Sequence, residues 1–343
     1  MEEGCSLEDL GAMNRSSGYW VGKRVFVTGP TGVVGSWVVR DLVEQGAEVV
    51  VLVLDSNPQS ELYRSGLIKR VTVVNGALED FTVLERAIVG YATDTVIHLG
   101  AQAIVEVAYR SPLASYETNI RGTWNLLEAC RAHGDLVKRV VIASSDKAYG
   151  EQRQLPYTED MPLEGRQPYE VSKSCADLIA QSYFYTYGVP VAIARCGNIY
   201  GGGDLNWTRI VPGTIRSLYR GESPVIRSDG RYIRDYIYVK DVSRAYLMLA
   251  EHMGCSDVCG GSFNFSPESR VEVMEIVNVI RQIMKCDHIQ PTLLNQAKGE
   301  IRNQYLSSEK AKRVLGWTPA YSLEQGLKET VAWYVAFWRG GDA

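Results

Sequence analysis

Between Lys23 and Gly201 the chain repeats one pattern: a short apolar run, then a helical stretch. KRVFVTG, AEVVVLVLD, RVTVVNG, DTVIHLGAQ, KRVVIASS and VPVAIARCGNIYG are apolar throughout rather than at every second residue. A strand buried on both faces belongs in a parallel sheet, because the crossovers joining parallel neighbours lay helices over each face. TGVVGSWVVRDLVEQG has helical spacing with a glycine stop, and PYEVSKSCADLIAQSYFYTYG is helical. Residues 103 to 133 carry a long helical pattern interrupted near Pro112. The expected fold class is α/β, a doubly wound parallel sheet. After Gly201 short strands, turns and helices mix, which predicts a smaller C-terminal α/β lobe over the carboxyl ends of the strands. The expected division is an N-terminal arm over 1–19, a sheet domain over 20–200, and a lobe over 201–343 whose boundary is discontinuous.

Composition narrows the function. A formal net charge of −4 over 343 residues gives no broad basic field, which excludes nucleic acid as an expected partner. No apolar run approaches the roughly 20 residues of a membrane span. The start, MEEGCSLEDL, is acidic and lacks the basic-then-apolar pattern of a signal peptide. Seven scattered cysteines, with no His or second Cys pair at zinc spacing after Cys255 and Cys259, predict reduced thiols, a cytoplasmic setting and no metal site.

The first chemical signal is VFVTGPTGVVGSWV, where Gly29, Gly32 and Gly35 fall between strand and helix. Glycines there allow a tight turn and let backbone approach a pyrophosphate, which the helix N-terminus favours. Asp55 ends the second strand, where a carboxylate accepts from ribose hydroxyls and repels a 2′-phosphate, favouring NAD over NADP. The second signal is PYEVSK. Tyr169 and Lys173 are four apart and share a helix face. A neighbouring ammonium is expected to lower the phenol pKa, making Tyr169 a base toward a sugar or alcohol hydroxyl.

TGPTGVVG, Asp55, HLGAQ, SSDKAYG, YEVSK and RCGNIYG, in this order, resemble the nucleotide-sugar branch of the extended short-chain dehydrogenase/reductase family. The resemblance runs from about Trp20 to Trp338. It implies a Rossmann-type domain with NAD, a lobe for a nucleotide diphosphate hexose, and a homodimer formed through helices at roughly 103–133 and 168–187. For the cofactor it implies Gly29, Thr31, Gly32, Val33, Val34, Gly35, Asp55, Gly100, Ala101, Asn119, Tyr169 and Lys173. Where the family commonly has Gly-Asp after the third strand this chain has Gly76-Ala77, which leaves Asp80 as a candidate for adenine. Ser145 is expected to hydrogen-bond the sugar 4-hydroxyl. Gln102, Asn198, Arg209, Arg234 and Arg302 are the candidate substrate contacts, the arginines for diphosphate oxygens.

Asp146 and Lys147 separate the branch. Epimerases usually have small or uncharged residues there, whereas the Ser-Asp-Lys form resembles the 4,6-dehydratases, those acting on CDP-glucose in particular. Elimination after oxidation at C4 needs a base for the C5 proton, the role of a neutral Lys147, and an acid for the departing 6-hydroxyl, the role of a protonated Asp146. Lys173 and burial are expected to favour the neutral amine. Glu106 stands where a basic residue is expected for CDP-glucose, and YIRDYIYVKD reads more like the dTDP- and UDP-sugar members. The base and the hexose stay open, as do a 4-epimerase and, from another class, a non-catalytic nucleotide-sugar sensor.

Overall fold

The structure, a computed structural model, describes residues 18–296 and 300–340. The expected arm lies, up to residue 17, outside the described residues. All six expected strands form: β1 Arg24–Thr28, β2 Glu48–Val53, β3 Thr72–Asn75, β4 Thr95–His98, β5 Arg139–Ala143 and β6 Val191–Cys196. The sheet has seven strands, all parallel, because Ser262–Phe265 adds itself beside β6, giving the order 262–265, β6, β5, β4, β1, β2, β3. That seventh strand corrects the sequence reading, which left residues 262–265 in the lobe. Its SFNF is too short to announce a strand by periodicity.

The apolar runs are explained by what each face meets. Val25 and Val27 pack on one side with Val38, Val39 and Leu42 of helix α1 (Val33–Glu44) and with Val242 and Ala245 of the helix Val239–Glu251. Phe26 points the other way, into Leu84, Ala87 and Ile88 of helix α2 (Phe81–Gly90) and Leu126 and Leu127 of helix α3 (Gly122–Ala132). Each such fully buried side chain contributes about 1.5–3 kcal/mol of transfer free energy.

The long helix expected over 103–133 is broken. It runs as Val105–Arg110, Pro112–Tyr116, a π-helical turn Glu117–Arg121 and then α3. Pro112 cannot donate into the preceding turn, so the first break has an ordinary cause. The π turn carries Asn119 inward, and sequence periodicity has no signal for it.

Beyond β6, the helices Ile210–Tyr219, Val273–Ile283 and Leu323–Arg339 pack around Tyr200, Tyr236, Tyr238, Ile276 and Leu327 to form the lobe core. Two small sheets bring the lobe to the ends of the main strands. Tyr236–Tyr238 pairs with Asn198–Tyr200, and Ile233–Arg234 lies between Val271–Glu272 and Asn303–Gln304. Among the described residues no helix is long and apolar enough to cross a membrane.

Candidate active site

At the carboxyl end of β1 the backbone turns through Gly29, whose φ of +70° suits glycine. A Cβ on Gly29 would stand 2.7 Å from the Gly100 nitrogen, and one on Gly35 would stand 2.0 Å from the Gly29 oxygen. The turn therefore presses backbone on backbone. Thr28 locks it to β4: its hydroxyl accepts from Leu99 N at 3.2 Å and Gly100 N at 3.0 Å, and meets His98 Nδ1 at 2.7 Å. Burial pushes His98 down to about 3, so it stays neutral. Past Pro30 and Thr31, Gly32 caps α1 with no side-chain acceptor, and Val33 and Val34 open the helix with no acidic residue in the first turn. The first amides are left for an anion. A cleft of bare backbone beside an uncapped helix end fits a dinucleotide pyrophosphate. Ser144 Oγ, buried where β5 ends, has no partner among the described residues.

Several expected contacts have other employment. Asp80, expected at adenine, is the N-cap of α2, accepting from Thr82 N at 3.0 Å and Val83 N at 3.3 Å. Asp55 is exposed just past β2. Asn119, expected at the cofactor, is 2 % exposed and holds the loop after β4: it accepts from Gln102 N at 2.7 Å and donates to Gln102 O at 3.1 Å and Ser172 Oγ at 2.9 Å. It thereby fixes Gly100, Ala101 and Gln102 against helix α4 (Pro168–Tyr187).

β5 gives way at Ser144-Ser145 to one 3-10 turn, Asp146–Tyr149. Ser145 caps that turn, accepting from Lys147 N at 3.2 Å and donating to Asp146 Oδ1 at 3.0 Å. Asp146 is 2 % exposed. Lys147 Nζ reaches Asp146 Oδ1 at 3.3 Å, Asn198 Oδ1 at 3.2 Å and Gln304 Oε1 at 3.4 Å, and Gln304 Nε2 donates to the Asp146 carbonyl at 3.2 Å. The acid–base pair faces inward. Asn198, a candidate phosphate or nucleotide contact, holds the lysine in this structure.

Tyr169 approaches from α4 and lies close enough to Ser145 for that hydroxyl to act on its phenol. Here the structure corrects a sequence expectation. Burial dominates and pushes the phenol up to about 12; the Arg209 cation and the Ser145 hydrogen bond pull it down, and Asp146 adds to the rise. Lys173 donates to Ala143 O at 2.9 Å, and desolvation lowers it to about 8, partly offset by Asp177. Without a ligand, the lysine does not acidify the tyrosine.

The arginines divide. Arg209 Nη1 pairs with Asp204 at 3.0 Å and its Nη2 donates to Ala103 O at 3.4 Å, at the mouth of the site. Arg234 is buried, donates to Ile233 O and Arg302 O at 2.9 Å each, and lies 3.6 Å from Glu300. Arg302 is largely exposed and pairs with Asp229 at 3.4 Å, away from the lysine that its neighbour Gln304 touches. Glu106 pairs with Arg110 at 2.7 Å on an exposed helix face.

Two sets of residues escaped sequence reading. Gln304 is one, lying 157 positions from Lys147 in a stretch without periodicity. The other is a buried network under the catalytic turn. Arg195 binds Asp177 through two bonds of 2.9 Å and donates to Tyr149 Oη at 2.8 Å, and Tyr149 donates to Asn264 at 2.8 Å. An arginine in the middle of the apolar β6 was the available signal, since a buried charge demands a partner.

With the glycine turn, the Tyr-Lys helix and the Ser-Asp-Lys turn in one cleft, comparison with known proteins gives the family. Residues 26–330 match the family model described as GDP-mannose 4,6 dehydratase. The chain belongs to that family. Its relatives include the CDP-glucose 4,6-dehydratase of Salmonella typhimurium, 32% identical over 340 residues covering 94% of each chain. The UDP-glucose 4-epimerase of Halalkalibacterium halodurans is 31% identical over 327 residues, covering 90% of this chain and 95% of the other. The solved dTDP-glucose 4,6-dehydratase of Bacillus anthracis, in complex with NAD, superposes with a TM-score of 0.81 at 26% identity over 92% of this chain and 97% of that one. The Rossmann-type architecture expected from the sequence is the architecture of this family.

Proposed function

We propose that the protein is an NAD-dependent nucleotide-diphosphate-hexose 4,6-dehydratase, with CDP-glucose its leading substrate. The observation that carries this reading is the inward-facing contact of Lys147 with Asp146, beside Ser145. An epimerase needs only Ser145, Tyr169 and Lys173; a second acid–base pair over the same sugar serves elimination.

The Gly29–Gly35 turn and α1 would hold NAD, which would supply the acceptor for the C4 hydride and its donor to C6. The chain's own residues manage the protons. Tyr169, as phenolate, takes the 4-hydroxyl proton, aided by Ser145; lowering its pKa from about 12 falls to Lys173 and the positive nicotinamide once both face it. Moving one proton from Lys147 to Asp146, 3.3 Å apart, converts an ion pair into an amine beside a carboxylic acid. The amine takes the C5 proton, made acidic by the 4-ketone, exchanges it with solvent, and protonates C5 when C6 is reduced. The acid gives its proton to the 6-hydroxyl, which leaves as water. Ser145, bonded to Asp146 and beside Tyr169, offers the path by which the tyrosine proton restores the acid. The net change is one water lost.

The similarity to a UDP-glucose 4-epimerase supports a second reading, 4-epimerisation. Incubating CDP-, dTDP-, UDP- and GDP-hexoses with the protein and NAD separates the two by mass. The dehydratase reading expects a 4-keto product lighter by one water; an isomer of unchanged mass overturns it. We also infer a homodimer. Tyr109, Leu113, Trp124, Leu178, Tyr185 and Tyr187 are exposed on the segment 105–132 and on α4, an apolar face too broad to leave to water. Gel filtration is expected to give twice the chain mass, and a monomer would refute the inference.

A further inference from the structure

Asp235 is a buried carboxylate with no place in the chemistry above. It is 1 % exposed, its Oδ2 accepts from Ser266 Oγ and from Leu306 N at 3.2 Å, and its Oδ1 has no partner among the described residues. Its carbonyl accepts from Asn198 N at 2.8 Å, an approach so close that a Cβ on Gly197 would stand 2.8 Å from that oxygen. Asp235 thus joins three pieces of chain distant in sequence: the end of strand 262–265, the strand Asn198–Tyr200, and the segment 303–306. Two of them carry the amides that hold Lys147, namely Asn198 at 3.2 Å and Gln304 at 3.4 Å.

A half-partnered carboxylate in the interior is a costly fastener, since its charge and its lone oxygen both lose water. Burial pushes Asp235 up to about 7, with the Ser266 and Leu306 bonds pulling the other way and the Asp146 and Glu268 charges adding to the rise. The cost is concentrated at a junction between the segments that carry the two amides.

We propose that Asp235 is a positioning residue for the elimination half of the reaction, its carboxylate holding the segment of Leu306 and Gln304 so that Gln304 aims the Lys147 amine at C5. The inference rests on the dehydratase reading. It makes a claim that reading does not: Asp235 serves the second stage only and leaves oxidation at C4, run by Ser145, Tyr169 and Lys173, untouched.

The test is a stopped-flow comparison of wild type, Asp235→Ala, Asp235→Asn and Gln304→Ala with NAD and the sugar that wild type dehydrates. It follows absorbance of reduced nicotinamide alongside product mass, with NAD affinity measured by fluorescence titration. Asp235→Ala and Gln304→Ala are expected to form reduced nicotinamide at the wild-type rate and then accumulate it. Their product release should slow about 10- to 100-fold, the scale of a misplaced catalytic group, with NAD affinity unchanged. Asp235→Asn keeps an oxygen that accepts both bonds and is expected to stay within about threefold of wild type. Should Asp235→Ala fail to fold, Gln304→Ala reads the same split. Equal slowing of both stages, or full elimination activity in Gln304→Ala, overturns the inference while the dehydratase reading stands. A wild type that dehydrates no sugar overturns both.

Discussion

The cofactor turn and the catalytic turn lie a few strands apart in one sheet and are held in opposite ways. The first is built from missing side chains: Gly29, Gly35 and Gly100 let backbone meet backbone, and Thr28 fastens the loops. The second is built from side chains supplied by distant segments: Gln304, Asn198, Arg195 and Asn264 all bear on four residues, Asp146 to Tyr149. A cleft made of absences fails when anything is added. A turn held by a network fails when a member is removed, and fails by degrees.

The largest contrast is expected at Gly35. In Gly35→Ala the new methyl would overlap the Gly29 oxygen, and backbone has nowhere to yield. Loss of NAD binding together with destabilisation of more than about 2 kcal/mol is expected, read by calorimetry and cofactor titration. Lys147→Met comes next. It keeps the stem but deletes the amine, so dehydration should fall by about 10²- to 10⁴-fold, the usual worth of a general base, with NAD affinity retained. Finding both variants defective in the same property would erase the distinction between the two turns. Tyr149→Phe sharpens it: the phenol joins Arg195 to Asn264 at 2.8 Å each, and its loss should cost about 1–3 kcal/mol in denaturant unfolding.

The smallest effect is in pH. Lys173 titrates at about 8 in the fold and near 10.5 when unfolded, so between those values the unfolded chain binds more protons and stability rises with pH. Below about 8 the lysine is charged in both states and its desolvation is a standing cost. Lys173→Met should be more stable than wild type there, by a margin that shrinks as pH climbs toward 10.5. A margin that does not change with pH would show that the amine is not desolvated.

The same contrast explains what could be read in advance. Six strands were legible because parallel strands bury both faces and leave no polar alternation to confuse them. The glycine turn was legible because its chemistry lies within seven consecutive residues, 29 to 35. Ser145, Asp146, Lys147, Tyr169 and Lys173 were legible as residue types, and their convergence follows from β5 ending beside α4. What holds them was not. Gln304 and Asp235 act across more than 80 positions on the catalytic turn, and no local period encodes such a contact. Asp80 has a second legible role: a carboxylate ahead of FTVLERA is an N-cap by local rule, and the structure places it there. The Tyr169 pKa was misjudged because spacing on a helix says which face two groups share but not which acceptor Lys173 finds.

The central claim is that Lys147 removes a proton from C5 of the sugar. Running the reaction in deuterium oxide with CDP-glucose and locating the label by NMR tests it most directly. One deuterium at C5 of a product bearing a 6-methyl group is the predicted result, and it should vanish with Lys147→Met. A product whose C5 keeps its original hydrogen, or labelling that survives the loss of Lys147, would contradict it.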